Sequence, residues 1–362
     1  MNSQNKKSIR NPEDDDASRT GPLTLEEATI TGPITSAADQ SRKPENLQSL
    51  LKFALEAIDC YDPLQETYFA PMEDERKKFL NEALNSLTVS MVKEIQKSIR
   101  ILRKVPKLSP EDDPSEYENA LEMITENVDD IDIARDFYKV GGFRILKPCL
   151  NSPHASIRWK AADLIAALSQ NALFCQNEIV QMDILPILLN MVDSDSSDQA
   201  RIKSLYAVSC TVRGSKLALL AMKDIDGYST LMKALQSPVE KLKIKAAFLL
   251  SSLCNGEEAE PLRMKLIDEG LIEQTIELLS VPDVSPEARD RLLDVLKSLT
   301  NDTYFTALTK CRKPELCLRE TLERHLADLR AEGARNEAEA CQELLYDIFP
   351  DHYFKEEILA FQ

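Results

Sequence analysis

From about residue 72 onward, apolar and polar residues recur with the period of a helix, never with the alternation of two that a half-buried strand requires. The first periodic stretch lies earlier, at Asn46-Leu47-Gln48-Ser49-Leu50-Leu51-Lys52-Phe53-Ala54-Leu55, where leucines 47, 50, 51 and 55 share one helical face. A Pro- and acid-containing joint leads to a long predicted helix from about Met72 to Val105. Glu73, Asp74 and Glu75 sit at the positive end of its dipole, and Pro106 and Pro110 stop it. The stretch from Ser109 to Phe137 then carries eleven carboxylates against one arginine, Arg135. Such a run is expected to be a solvated face and marks a boundary. Beyond it Leu, Ala, Ile and Lys dominate and turns are short. Residues 1–45 hold eight acidic and six basic side chains among Ser, Thr, Pro and Gly, with no sustained period. That is the composition of a disordered tail.

The helical part repeats. Ile157-Arg158-Trp159-Lys160-Ala161-Ala162 through Asn171 aligns with Arg201-Ile202-Lys203-Ser204-Leu205 through Gly214, and with Lys243-Ile244-Lys245-Ala246-Ala247 through Gly256. The offsets are 43 and 42 residues, and weaker copies lie around Glu118–Asp130 and Arg289–Asn301. A second series, Gly142-Phe143, Asp183-Ile184, Gly227-Tyr228 and Gly270-Leu271, is spaced by 41, 44 and 43 residues. A small or polar residue closing one helix before an apolar helix begins is capping chemistry. A period of forty-odd residues built from two or three helices marks armadillo or HEAT units. One such unit cannot bury its apolar faces alone, so units stack around a shared core. The predicted fold is all-α, an armadillo-like right-handed superhelical solenoid of about four repeats with helical caps. The expected division is a tail at 1–45, an amphipathic segment and linker at 46–70, and an N-terminal cap at 71–107. Repeats at 116–310 and a C-terminal cap and tail at 311–362 complete it.

Composition narrows the function. Sixty-one acidic residues oppose 44 basic ones, a net charge of −17, the wrong sign for bulk nucleic-acid binding. Only 9 of the 362 residues are glycine, too few for a turn-rich β protein. There is no Gly-x-x-x-x-Gly-Lys phosphate loop, no His-Glu-x-x-His helix and no Gly-x-Ser-x-Gly elbow. The eight cysteines form no Cys-x-x-Cys pair and the three histidines (154, 325, 352) are far apart, so no zinc site is predicted. No cofactor and no enzymatic activity are expected. The polar start, Met1 to Lys7, lacks the apolar stretch of a signal peptide, and no apolar run approaches a membrane span. A soluble, monomeric protein of the cytoplasm, with buried free thiols and no contact with membrane, is expected.

Within the aligned third helices, basic residues recur. Arg158, Arg201, Lys243 and Arg289 occupy one equivalent position, and Lys160, Lys203, Lys245 and Arg291 the position two residues on. Arg213 and Lys241 stand at helix ends beside them. Stacking predicts a cationic ladder on the concave face of an acidic molecule, and hence an acidic partner surface. The competing use of such residues is pairing with acids of the neighbouring repeat. The repeated Trp and Asn pairs of peptide-binding armadillo proteins of the nuclear-import type are absent, since Trp159 is the only tryptophan.

Several stretches, in order, carry a resemblance: Pro71-Met72-Glu73-Asp74-Glu75-Arg76, Arg158-Trp159-Lys160-Ala161-Ala162 through Ser169-Gln170-Asn171, Lys203 through Cys210 with Val212-Arg213, Lys241 through Leu250, and Cys311-Arg312-Lys313-Pro314-Glu315-Leu316. From about Asn46 to Pro350 the chain resembles the armadillo-type nucleotide exchange factors of the 70-kDa heat-shock chaperones, the heat-shock-protein-binding protein 1 and Fes-type family. The resemblance implies that the concave face embraces one lobe of the chaperone's ATPase domain, displaces the other and opens the ADP cleft. It implies chaperone contacts at Asp132, Ala134, Arg158, Lys160, Arg201, Lys203, Arg213, Lys241, Lys243 and Lys245. It also implies a substrate-release role for the N-terminal segment, for which Leu47, Leu50, Leu51 and Phe53 are the apolar candidates; a helix docked on the solenoid is the other use of those residues. Where the family carries two asparagines before the first full repeat, this chain has Asp129-Asp130-Ile131-Asp132-Ile133-Ala134. The alternatives are an armadillo interaction scaffold and an inhibitor of a ubiquitin ligase, neither with exchange activity.

Overall fold

The computed structural model describes residues 74–350, apart from 171, 257–258, 283 and 301–304 and some side chains between 74 and 90. Leu47, Leu50, Leu51 and Phe53, the tail and the last twelve residues lie outside the described residues. Among those described every regular element is helical.

The first helix, α1 (Asp74–Leu102), ends in a single 3-10 turn, Val105–Lys107, with Pro106 inside it. Helix α2 (Ser115–Thr125) comes next and packs on α1. Then the triplets begin. Each opens with a nine-residue helix: α3 (Ile131–Lys139), α6 (Leu173–Gln181), α9 (Lys216–Asp224) and α12 (Glu260–Asp268). A second follows: α4 (Leu146–Leu150, preceded by a 3-10 turn at Gly142–Ile145), α7 (Leu185–Ser194), α10 (Gly227–Leu235) and α13 (Leu271–Ser280). The third is always fifteen residues long: α5 (Ala155–Ser169), α8 (Asp198–Val212), α11 (Glu240–Cys254) and α14 (Pro286–Thr300). Helices α15 (Phe305–Cys311), α16 (Leu318–Glu332) and α17 (Arg335–Ile348) close the C-terminal end.

The third helices form the spine, each packing on the next from α2 through α5, α8, α11 and α14 to α17. Enclosed between their own triplet and their neighbours, they are largely buried over their second halves. In α8, Ser204, Leu205 and every residue from Ala207 to Val212 are buried. Small residues at the seams (Ala161, Ala162, Ala207, Ala246, Ala247) let the helices approach closely. Ser169 and Thr211 meet across the α5–α8 seam at 3.2 Å. The resulting core runs without a break from Ile95 to Ile348. This is the shared burial that makes a single triplet unable to stand alone.

The joints between first and second helices have a consistent backbone. Gly141, Asp183, Asp226 and Gly270 all lie in the left-handed region, at φ 78°, 49°, 51° and 92°. Gly142 and Gly227, which the sequence spacing points to as the closing residues, stand one place later and are required for a different reason. A Cβ on Gly142 would lie 2.3 Å from the Phe137 ring, and one on Gly227 would lie 2.7 Å from the Met222 sulfur. The spacing therefore mixes two demands, positive φ and close approach.

Cys149, Cys175, Cys210, Cys254, Cys311 and Cys341 are buried and Cys317 is exposed, all as free thiols. Burial pushes the thiols of Cys149, Cys254 and Cys311 up to about 12, which keeps them protonated and inert. No described helix is long and apolar enough to cross a membrane.

Candidate functional site: the ladder of third helices

Because the third helices have equal length, their positions correspond one to one. Position six holds Lys160, Lys203, Lys245 and Arg291, and position nine holds Asp163, Tyr206, Phe248 and Asp294. Each position-six cation reaches back to the preceding third helix. Lys160 Nζ meets Glu122 at 2.5 Å and Glu118 at 3.3 Å on α2. Lys203 Nζ meets Asp163 on α5 at 2.6 Å. Lys245 Nζ lies over the Tyr206 ring of α8, 4.9 Å from its centroid, and the Arg291 guanidinium lies 5.9 Å from the centroid of Phe248 on α11. Along the spine, then, the partner changes from carboxylate to aromatic ring. Burial opposes the charge on Lys160, but its hydrogen bonds to Glu122 and Glu118 outweigh that and raise its pKa.

Position four is more deeply used. Arg158 grips Asp195 with two hydrogen bonds of 2.7 Å, from Nε and Nη2, and its Nη1 donates to the carbonyls of Ser152 and Pro153. Burial disfavours the Asp195 carboxylate, yet the Arg158 fork and the Ser197 N–H hold its pKa below the usual value. Arg201 donates to the Val192 carbonyl at 3.0 Å and stands 3.6 Å from Asp198. Arg289 is buried and pairs with Glu332 of α16 at 2.8 Å. Lys243 is half-buried and Lys241 exposed, and neither meets a carboxylate within ion-pair distance among the described residues.

Arg213, just past α8, is exposed, and its guanidinium lies 5.2 Å from the Phe248 centroid. Its backbone is held from behind. The buried Gln176 amide donates to the carbonyls of Ser169, Cys210 and Arg213 at 3.1, 2.9 and 3.1 Å. Asp132 is exposed beside Arg135 in the first turn of α3, whereas Ala134 of the same turn is buried. Asp130, in the segment where the asparagines are replaced, caps α3 by accepting from the Asp132 N–H at 2.8 Å and the Ile133 N–H at 3.4 Å.

The ten anticipated residues thus fall into three groups. Arg158, Lys160, Arg201 and Lys203 are engaged within the molecule, Ala134 is buried, and Asp132, Arg213, Lys241, Lys243 and Lys245 present themselves outward. Sequence reasoning passed over Tyr206 and Phe248, although their shared position in the repeat was a usable signal. The acidic run is also more than a solvated face, since Glu118 and Glu122 leave it to neutralise Lys160. Among the described residues no cluster of three or more His, Cys, Asp or Glu is placed to hold a metal ion.

Triplets stacked on a spine of third helices define an armadillo-type solenoid, and solved structures agree. A designed armadillo repeat protein in complex with a (KR)4 peptide superposes with a TM-score of 0.56 at 17% identity, over 69% of this chain and 99% of that one. A second designed armadillo repeat protein gives 0.55 at 18% identity, again over 69% and 99%. The sequence places the chain more narrowly: it belongs to the Hsp70-binding protein 1/Fes1 family. Hsp70-binding protein 1 of Mus musculus is 34% identical over 331 residues, 88% of this chain and 90% of the mouse protein. That of Homo sapiens is 35% identical over 321 residues, 85% and 87% of the two chains. The Hsp70 nucleotide exchange factor FES1 of Mycosarcoma maydis is 28% identical over 134 residues, 37% of this chain and 34% of the fungal protein. The family model SIL1/FES1/HPBP1 C-terminal domain matches residues 133–269, from α3 to the end of α12.

Proposed function

We propose that this chain is a cytosolic co-chaperone that binds the ATPase domain of a 70-kDa heat-shock chaperone and accelerates release of ADP. The observation that carries the reading is the likeness to Hsp70-binding protein 1 along more than four-fifths of both chains. A relative named as an Hsp70 nucleotide exchange factor supports the exchange step. The factor makes and breaks no covalent bond. It binds the open, nucleotide-free ATPase domain more tightly than the closed, ADP-bound one, and this difference in affinity shifts the population toward the open state. Reciprocity requires that ADP weaken factor binding by the same ratio.

The contact surface is the outward part of the third-helix ladder, with Arg213, Lys241, Lys243 and Lys245 meeting acidic groups of the chaperone and Asp132 contributing at the first triplet. Arg158, Lys160 and Lys203 serve that surface by fixing the angle between neighbouring spine helices, and Arg201 by tying α8 to α7 within its own triplet. The protein acts as a monomer, its triplets burying their apolar faces against one another within the one chain. Free thiols throughout the described core suit the reducing cytosol.

Stopped-flow release of fluorescent ADP from a cytosolic chaperone tests the reading. Release is faster with the factor present, and the Arg213→Ala variant gives a smaller acceleration. Unchanged release at saturating wild-type factor would overturn it in favour of a scaffold without exchange activity.

A further inference from the structure

Phe248 is an oddity of the spine. It stands at position nine, where α5 and α14 carry the carboxylates Asp163 and Asp294, and it is 38% exposed between buried neighbours, Ala246 and Ala247 before it and Leu249 and Leu250 after. Two guanidinium groups from different triplets share its ring. Arg213, at the end of α8, lies 5.2 Å from the centroid, and Arg291, on α14, lies 5.9 Å from it. Phe248 on α11 therefore ties three consecutive triplets together at the surface.

The electrostatics of this arrangement are unbalanced. Arg291 has one carboxylate, Asp294 at 2.7 Å in its own helix, and Arg213 has none within ion-pair distance among the described residues. Lys245, on the same helix as Phe248 and three residues earlier, leans on the Tyr206 ring instead of a carboxylate. Aromatic faces attract cations without cancelling their charge. Two guanidinium groups on one ring also repel each other, and an incoming carboxylate relieves that repulsion. The triplets nearer the N-terminus differ, because Lys160, Lys203 and Arg158 are neutralised by Glu122, Asp163 and Asp195.

We propose that Phe248 is the anchor of the partner interface, holding Arg213 and Arg291 as a two-armed clamp for a carboxylate on the chaperone's ATPase domain. This rests on the function proposed above and places the tightest contact at the second to fourth triplets. The ring supplies the desolvated centre and the guanidinium groups supply planar, bidentate donors matched to a carboxylate. The Gln176 amide behind Arg213 keeps the first arm in place before the partner arrives.

The test uses the full chain and the isolated ATPase domain of a cytosolic 70-kDa chaperone, with affinity measured at 50 and 300 mM salt. Phe248→Leu keeps apolar bulk and removes the π-face. It is expected to weaken binding by about tenfold and to flatten the salt dependence. Phe248→Tyr restores the ring and is expected to bind like wild type. In Phe248→Leu/Arg213→Ala the two losses are expected to be much less than additive. Circular dichroism and the thermal midpoint establish that each variant is folded. If wild type accelerates ADP release and Phe248→Leu binds as tightly as wild type at both salts, the clamp is wrong while the exchange function stands. If wild type neither binds nor accelerates release, the function itself falls, and the clamp with it.

Discussion

Lys245 carries its ammonium 4.9 Å from the centre of the Tyr206 ring, at the point of the repeat where Lys203 meets the Asp163 carboxylate at 2.6 Å. One side chain thus decides whether a rung of the ladder keeps its positive charge. Tyr206→Asp is expected to close the third rung as Asp163 closes the second. The variant should stay folded, and its association with the chaperone's ATPase domain should slow by about three- to tenfold at low salt. The difference should shrink at high salt, where the field is screened. Stopped-flow association at the two ionic strengths checks this, and equal rates for variant and wild type at low salt would contradict it.

The Arg158–Asp195 pair makes a separate prediction about stability. Asp195 is 4% exposed and Arg158 14%, so removing one partner strands the other in a poorly solvated place. Asp195→Ala is expected to destabilise the fold by about 3 kcal/mol, read as a lower urea midpoint at pH 7. The sign with pH follows from the depressed carboxyl pKa. The stabilisation is complete above the unfolded aspartate value, about 3.9, and disappears as pH falls through the lower folded value. Wild type and Asp195→Asn should therefore differ at pH 7 and converge in acid.

The register of the spine was visible in the sequence because Arg158, Arg201 and Lys243 recur at the helix period of the repeat, and the fifteen-residue third helices keep them in step. What each cation touches was not visible. Glu118, Asp163 and Glu332 lie 42, 40 and 43 residues from Lys160, Lys203 and Arg289, one repeat away. Spacing alone does not say whether the partner precedes or follows. It precedes for position six and follows for Arg289, because the two positions point to opposite neighbours. Ala134 illustrates another limit, since a small residue in the first turn of α3 suits a contact and a core equally well, and only packing separates them. The left-handed joints slipped by one residue at Gly142 and Gly227 for a similar reason. Glycine is needed both for positive φ and for close approach, and the sequence does not label which.

That distinction at the first joint can be measured. Gly142 has an ordinary backbone, but its missing Cβ is occupied by the fully buried Phe137 ring, itself edge-on to Phe143 with centroids 5.8 Å apart. Gly142→Ala should overpack this corner and destabilise by about 1–3 kcal/mol. Gly141→Ala, strained only through its φ of 78°, should cost about 1 kcal/mol. Shortening the ring gives the decisive comparison. Phe137→Leu alone leaves a void, yet Phe137→Leu/Gly142→Ala should be more stable than the sum of the single effects predicts. Strict additivity in urea unfolding would show that the two side chains do not compete for the same space.

His325 gives the last prediction, at the C-terminal end of the spine. It is 2% exposed, and its Nε2 lies 2.8 Å from the Leu279 carbonyl, joining α16 to α13. Because the carbonyl only accepts, Nε2 carries the proton, and the buried Nδ1 is left without a partner. Burial lowers the imidazole pKa first. The Leu279 bond and Asp328 work against that, while Arg324 and Arg289 reinforce it. A depressed histidine pKa stabilises the fold fully above the unfolded value of about 6.5, and that contribution is lost as pH falls through the folded value. Hydrogen exchange of the α13, α16 and α17 amides, corrected for intrinsic rates, should thus rise between pH 7 and pH 5, while the α5–α8 seam changes less. His325→Gln retains a donor for Leu279 and does not titrate, so its α16 amides should lose this pH dependence. The same rise in wild type and His325→Gln would place the acid sensitivity elsewhere in the molecule.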